Sequence, residues 1–215
     1  LSRGKDARAV TNVVLMGSGE PLDNYDNVIK FLRNLTSEKG LNVSARNVSL
    51  STCGIVPKMY DLANENIPLN LTVSLHATND FERKRTMPVA NKYSISEILK
   101  ACDAYFQKTG RRYYFEYTLI EGENADEVHA NALVALLRGK PCHVNLIRLN
   151  EVKERSLTAT MDKNAYRFLG YLEGSMFLTH GSSDYNGHEC MEDQRTRFLR
   201  CQEALSNIVR SHLAW

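Results

Sequence analysis

The run Val13-Val14-Leu15-Met16 passes without a break into Gly17-Ser18-Gly19-Glu20-Pro21. No other stretch constrains the fold as tightly. The apolar residues suffice for a short buried strand. A strand that stops on two glycines, a carboxylate and a proline leaves backbone and one acidic side chain at its carboxyl end. In parallel α/β proteins that edge is where ligands bind. Two later apolar runs finish in comparable polar clusters, Leu50-Ser51-Thr52-Cys53-Gly54 and Val73-Ser74-Leu75-His76-Ala77. Three such endings point to one shared site.

Strand and helix patterns alternate along the chain. After the first strand, residues 24–39 carry Val28, Ile29, Leu32 and Leu35 at helical spacing, with Gly40 as the C-cap. Strands at 47–53 and 69–76 flank a short helix over 57–64 that has proline in its first turn. Ser94 or Ser96 caps a helix through Tyr105. An aromatic, β-branched strand covers 113–120, a helix 125–138 ends before Gly139, and a strand covers 144–149. A helix from Asp162 through Leu172 and a short strand at 176–179 complete the pattern. The alternation predicts an α/β fold with a parallel sheet, curved or closed, and argues against an all-α or sandwich fold.

The strand faces are unequal. Leu69, Leu71, Val73 and Leu75 alternate with Asn70, Thr72, Ser74 and His76, and Val48, Leu50 and Thr52 alternate with Asn47, Ser49 and Ser51. Parallel strands covered on both faces are normally apolar throughout. Here the polar face is expected to line a barrel interior that holds a hydrophilic cofactor. Glu116, between Phe115 and Tyr117, needs a donor there, because an unpaired buried carboxylate is costly.

The net charge of +2 demands no polyanionic partner. The clusters Arg83-Lys84-Arg85 and Arg111-Arg112 read as solvated loop and helix charges, with phosphate contact as the alternative. Cys53, Cys102, Cys142, Cys190 and Cys201 include no Cys-x-x-Cys pair, which argues against disulfides and a local zinc or iron–sulfur site. Cys102 sits on an apolar helix face as a small hydrophobe. No apolar run approaches the roughly 20 residues of a membrane span, and the start lacks a secretory-signal pattern. The expected location is therefore the cytoplasm.

Gly17-Ser18-Gly19-Glu20-Pro21-Leu22, Leu50-Ser51-Thr52-Cys53-Gly54, Ser74-Leu75-His76-Ala77 and Asn145-Leu146-Ile147-Arg148-Leu149-Asn150 occur in this order. Together they resemble the radical S-adenosylmethionine (SAM) methyltransferases that modify carbon 2 of an adenine in 23S rRNA and tRNA. A sister group modifies carbon 8 of the same rRNA adenine. The resemblance implies a partial (β/α)6 TIM-like barrel over residues 1–180, N-terminally truncated, with a divergent tail over 181–215. It also implies that Gly19 and Glu20 hold the SAM amino group and Ser51 the methionine part. Ser74, Leu75 and His76 would line the ribose and adenine, which Asn150 would also contact. Acceptors are what an ammonium, having only donors, requires.

In that family a Cys-x-x-x-Cys-x-x-Cys loop binds a 4Fe–4S cluster that cleaves SAM to a radical, with a reductant such as flavodoxin. A cysteine near the C-terminus carries the methyl group to the base. This chain has no three-cysteine loop, and Cys190, in a blurred version of the family's ending, is the candidate for the methyl carrier. Cys201 is a poorer one. No protein metal ligands are therefore expected in this chain, and a monomer is the expected state. The chain alone is expected not to generate the radical. The rival readings are a non-catalytic SAM- or RNA-binding remnant and a radical SAM enzyme acting on a small molecule.

Overall fold

A computed structural model describes residues 10–17, 19–149 and 158–176. Strands β1 (Val13–Leu15), β2 (Val48–Thr52), β3 (Asn70–Ser74), β4 (Tyr113–Leu119) and β5 (Cys142–Arg148) form one sheet, every neighbouring pair parallel. Their spatial order is the chain order, β1-β2-β3-β4-β5. A doubly wound sheet would reverse order at a switch point; unreversed order is the arc of a (β/α) barrel, as the sequence predicts. Helices α1 (Tyr25–Thr36), α2 (Val56–Asn64), α3 (Asp80–Thr86), α4 (Ile95–Thr109) and α5 (Glu127–Leu137) lie in the crossovers, and α6 (Asp162–Met176) follows β5.

The alternation in sequence becomes two sheet faces. Leu50, Leu71, Val73, Phe115 and Leu146 share a core with Leu32, Met59, Ile98, Leu133 and Phe168 from the helices. Each such side chain, fully buried, contributes roughly 1.5–3 kcal/mol. Cys102 is completely buried among them. On the opposite face, register aligns Ser51 with Thr72, Ser74 with Glu116, and Glu116 with Asn145. A polar layer therefore crosses β2 to β5. Below it Tyr114 and His143 stack with centroids 5.1 Å apart.

Local chemistry sets the helix ends. Ser94 accepts from the Glu97 N–H, and Glu97 accepts from the Ser94 N–H, closing a capping box at the start of α4. One expectation needs correction, one falls mostly outside the described residues, and one helix was not expected. α1 stops at Thr36, and Ser37 is extended, so Gly40 is not its C-cap. Glycine is required there because an added Cβ would stand 1.9 Å from the Asn34 carbonyl oxygen. The strand expected at 176–179 begins on a residue that closes α6; its other positions lie outside the described residues. Helix α3 has no counterpart in the sequence reading, since its run Asp80-Phe81-Glu82-Arg83-Lys84-Arg85 has no apolar stripe.

Candidate functional site

The carboxyl ends of β1, β2 and β3 adjoin, as the polar endings predict. After β1 the chain turns through Gly17 (φ +125°) and Gly19 (φ +93°), where L side chains are strained. Glu20 then caps the 3₁₀ turn Pro21–Asn24. Its Oε1 accepts the Leu22 N–H at 3.0 Å. Its Oε2 crosses to the next strand end and accepts the Cys53 N–H at 2.7 Å. Each oxygen keeps a lone pair beyond these bonds, so the carboxylate is both a tie between strands and an open acceptor. Burial, reinforced by Glu20, pushes the Cys53 thiol far up, so it stays protonated.

Ser51 is 1% exposed, and its Oγ finds no hydrogen-bond partner among the described residues. An orphaned buried hydroxyl is costly unless something else pairs with it. Ser74 donates its hydroxyl to Glu116 Oε2 at 3.2 Å. Burial raises the Glu116 pKa, and the hydrogen bond from the Ser74 hydroxyl opposes that rise without cancelling it; Ser51 Oγ lies near enough to Glu116 to act in the same direction but makes no bond of acceptable geometry. Leu75 turns its side chain into the core and offers the polar side only backbone. Its N–H and that of His76 share the Glu116 carbonyl, at 3.0 and 3.1 Å.

His76 holds φ +57°, the left-handed region, which costs a non-glycine residue roughly 1–2 kcal/mol. Its Nδ1 lies 3.2 Å from the Thr118 N–H. An amide can only donate, so Nδ1 carries a lone pair and the ring proton sits on Nε2. Asn124 secures this corner: Oδ1 accepts the Ile120 N–H at 2.8 Å, and Nδ2 donates to the carbonyls of Thr118 at 2.9 Å and His76 at 3.4 Å. In sequence Asn124 reads as a turn residue after Gly122, which conceals this role.

Arg83 overturns the solvated reading of its cluster. It is 0% exposed and is the largest fully buried side chain among the described residues. Burial lowers its pKa to about 10, which still leaves it charged at neutral pH. Its neighbour Arg85 pairs with Glu123 at 3.2 Å. Arg111 donates to Asn70 at the opposite end of the sheet. Asn150, Cys190 and Cys201 lie outside the described residues. Among the described residues, no group of three or more His, Cys, Asp or Glu could hold a metal ion, and no helix is long and apolar enough to cross a membrane.

Residues 2–133 match the family model described as the Radical SAM superfamily. The chain is 52% identical over 164 residues to the probable dual-specificity RNA methyltransferase RlmN of Lachnoclostridium phytofermentans, covering 76% of this chain and 46% of that protein. It is 58% identical over 147 residues to the protein of the same name from Clostridium acetobutylicum, covering 68% of this chain and 43% of that one. A solved radical SAM methyltransferase from Sphaerobacter thermophilus superposes with a TM-score of 0.75 at 42% identity, over 78% of this chain and 49% of that one. A domain of pyruvate-formate lyase-activating enzyme from Bacteroides vulgatus, at 16% identity and TM-score 0.59, shares the fold. The chain spans about half the length of the curated relatives it matches.

Proposed function

Because the chain belongs to the radical SAM superfamily, we propose that its polar strand ends form the SAM cradle of an RNA methyltransferase acting on carbon 2 of adenine in 23S rRNA and tRNA. One observation carries the reading. The strand ends bring Glu20, Ser51, Ser74 and His76 onto one edge, and a bond of Glu20 to Cys53 spans two of them. RNA as the substrate class follows from the relatives named as dual-specificity RNA methyltransferases.

The residues present suit SAM. Bound SAM supplies the methyl group and, after reductive cleavage, a radical. Glu20 would accept from its ammonium with the lone pairs its two backbone bonds leave over. Ser51 Oγ, buried near Glu116 but without a hydrogen bond of acceptable geometry among the described residues, would be satisfied by the carboxylate of the methionine part. Gly17 and Gly19 leave the approach open, since an added Cβ would meet nothing within 4 Å at either. His76, with its proton on Nε2, would donate toward the nucleoside, and Ser74 would line the same side. Gly19, Leu75 and Asn150 would contribute backbone or side-chain contacts, and Cys190 would carry the methyl group.

The residues present do not suit a 4Fe–4S cluster. The five cysteines are not spaced as a three-cysteine loop. This spacing favours a second reading, in which this chain by itself binds SAM without cleaving it.

Calorimetric titration of the 215-residue chain with SAM is expected to show one site that weakens about tenfold or more in Glu20→Ala. No binding to the wild-type chain would refute the cradle. Anaerobic reconstitution with iron and sulfide is expected to give no SAM-cleaving cluster; cleavage would refute the second reading.

A further inference from the structure

Where β2 and β3 end, their last carbonyls have no onward strand to bond, and three of them converge on one side chain. Arg83 Nη2 donates to the Cys53 carbonyl at 2.7 Å and to the Ser74 carbonyl at 3.0 Å, and Nε donates to the Leu75 carbonyl at 3.2 Å. Buried carbonyls need partners, and the planar fork of a guanidinium can serve several at fixed angles. A lysine has one nitrogen and cannot hold the same three directions.

Space-filling does not account for this arginine. It makes no ion pair with a carboxylate among the described residues, and its buried Nη1 has no hydrogen-bond partner there. A buried charge left in that state is a liability for stability. The helix that carries it is pinned from other sides. Asn79 caps α3 by accepting the Glu82 N–H at 2.9 Å, and Asp80 Oδ1 accepts the Ile95 N–H at 2.7 Å. His129 bridges Asp126 at 2.7 Å and Glu82 at 3.3 Å.

The carbonyls it grips belong to residues that shape the site. Cys53 gives its N–H to Glu20, so holding the Cys53 carbonyl restrains the segment that aims that carboxylate. Ser74 presents the hydroxyl bonded to Glu116, and Leu75 directly precedes left-handed His76. Gly54 leaves room for the arrangement: at φ +100°, an added Cβ would lie 2.8 Å from Ile98 Cδ1 and 3.5 Å from Arg83 Nη2.

We propose that Arg83 is the positioning residue of the cradle, a cationic clamp that couples the Glu20 anchor on one side to the Ser74–His76 wall on the other. It touches no ligand and acts through the Cys53, Ser74 and Leu75 peptides. The inference rests on the SAM reading for its functional consequence, while the clamp itself is measurable without SAM.

The test compares the wild-type chain with Arg83→Lys by amide hydrogen exchange and by SAM titration. The expected result is roughly ten- to a hundredfold faster exchange at Cys53 and His76, with unchanged exchange at Leu32 in α1. A matching loss of SAM affinity should accompany it. Unchanged exchange at Cys53 and His76, or a uniform rise that includes Leu32, overturns the proposal whatever SAM does. Faster local exchange in a system whose wild type binds no SAM upholds the clamp and overturns the cofactor reading instead. If Arg83→Lys does not fold, the wild-type chain decides by nitrogen NMR. Hindered rotation of the Arg83 guanidinium, with separate Nη signals, upholds the clamp; a freely rotating guanidinium overturns it.

Discussion

Removing the Glu20 carboxylate should cost stability as well as ligand affinity, because the same two oxygens hold backbone. Oε2 accepts the Cys53 N–H at 2.7 Å and Oε1 the Leu22 N–H at 3.0 Å. A hydrogen bond to a charged group is worth about 1.5–3 kcal/mol. The Leu22 bond is also an N-cap, whose loss typically costs about 1 kcal/mol. For Glu20→Ala the two together predict a loss of about 2–4 kcal/mol, a large share of the roughly 5–15 kcal/mol available to a typical domain. Glu20→Gln keeps one acceptor and turns a donor toward the other amide, so about 1–2 kcal/mol is expected. Urea unfolding followed by circular dichroism measures both, with an unchanged m-value as the sign that only stability moved. Both variants within about 0.5 kcal/mol of wild type would refute the tie between β1 and β2. A full stability loss with SAM affinity intact would keep the tie and remove Glu20 from the ligand site.

Glu116→Gln tests the buried carboxyl through pH. Its pKa is raised by burial in the folded state, so its contribution is fully present below the ordinary glutamate pKa and is lost as pH rises through the raised value. The Gln variant should therefore melt above wild type at pH 8 and approach it at about pH 4, and parallel melting curves across that range would contradict the assignment. Asn124→Ala removes three backbone contacts at the β3–β4 corner and should cost about 2–3 kcal/mol by urea unfolding; under about 1 kcal/mol would show that the corner does not need it. Gly40→Ala should cost at least about 2 kcal/mol, because backbone must move away from a Cβ. Gly170→Ala in α6 meets nothing within 4 Å and should instead gain up to about 1 kcal/mol in the same thermal scans.

The strands were legible because polar and apolar residues alternate with period two, and Leu71, Val73, Ser74 and Glu116 fall on the faces that pattern assigns. The strand-end carboxylate of Glu20 was legible too, since glycine and proline bracket it. Its partner was not. The Cys53 amide lies 33 positions away, and any residue but proline offers the same N–H. Arg83 was hidden by composition, because three adjacent cations read as a solvated run. The available signal was its spacing from Met87, which puts both on one buried face of α3 and its end. Gly40 reads as a helix end on residue preference alone, whereas its actual requirement comes from the Asn34 carbonyl pressed against it.

The two amides that hold Glu20 also determine when its freedom is lost. Fixing a mobile glutamate side chain sacrifices roughly 1.5–2 kcal/mol of rotamer entropy. Here Leu22 and Cys53 fix it as the strands assemble, so the loss is incurred in folding and not again at association. On the proposed reading, an incoming ammonium would meet acceptors that are already oriented, and only their exposed side would have water to shed. Such preorganisation favours discrimination by shape and charge over adaptability. A cation whose donors match the remaining lone pairs fits at once, and one that needs the carboxylate to swing must first break a bond between two strands.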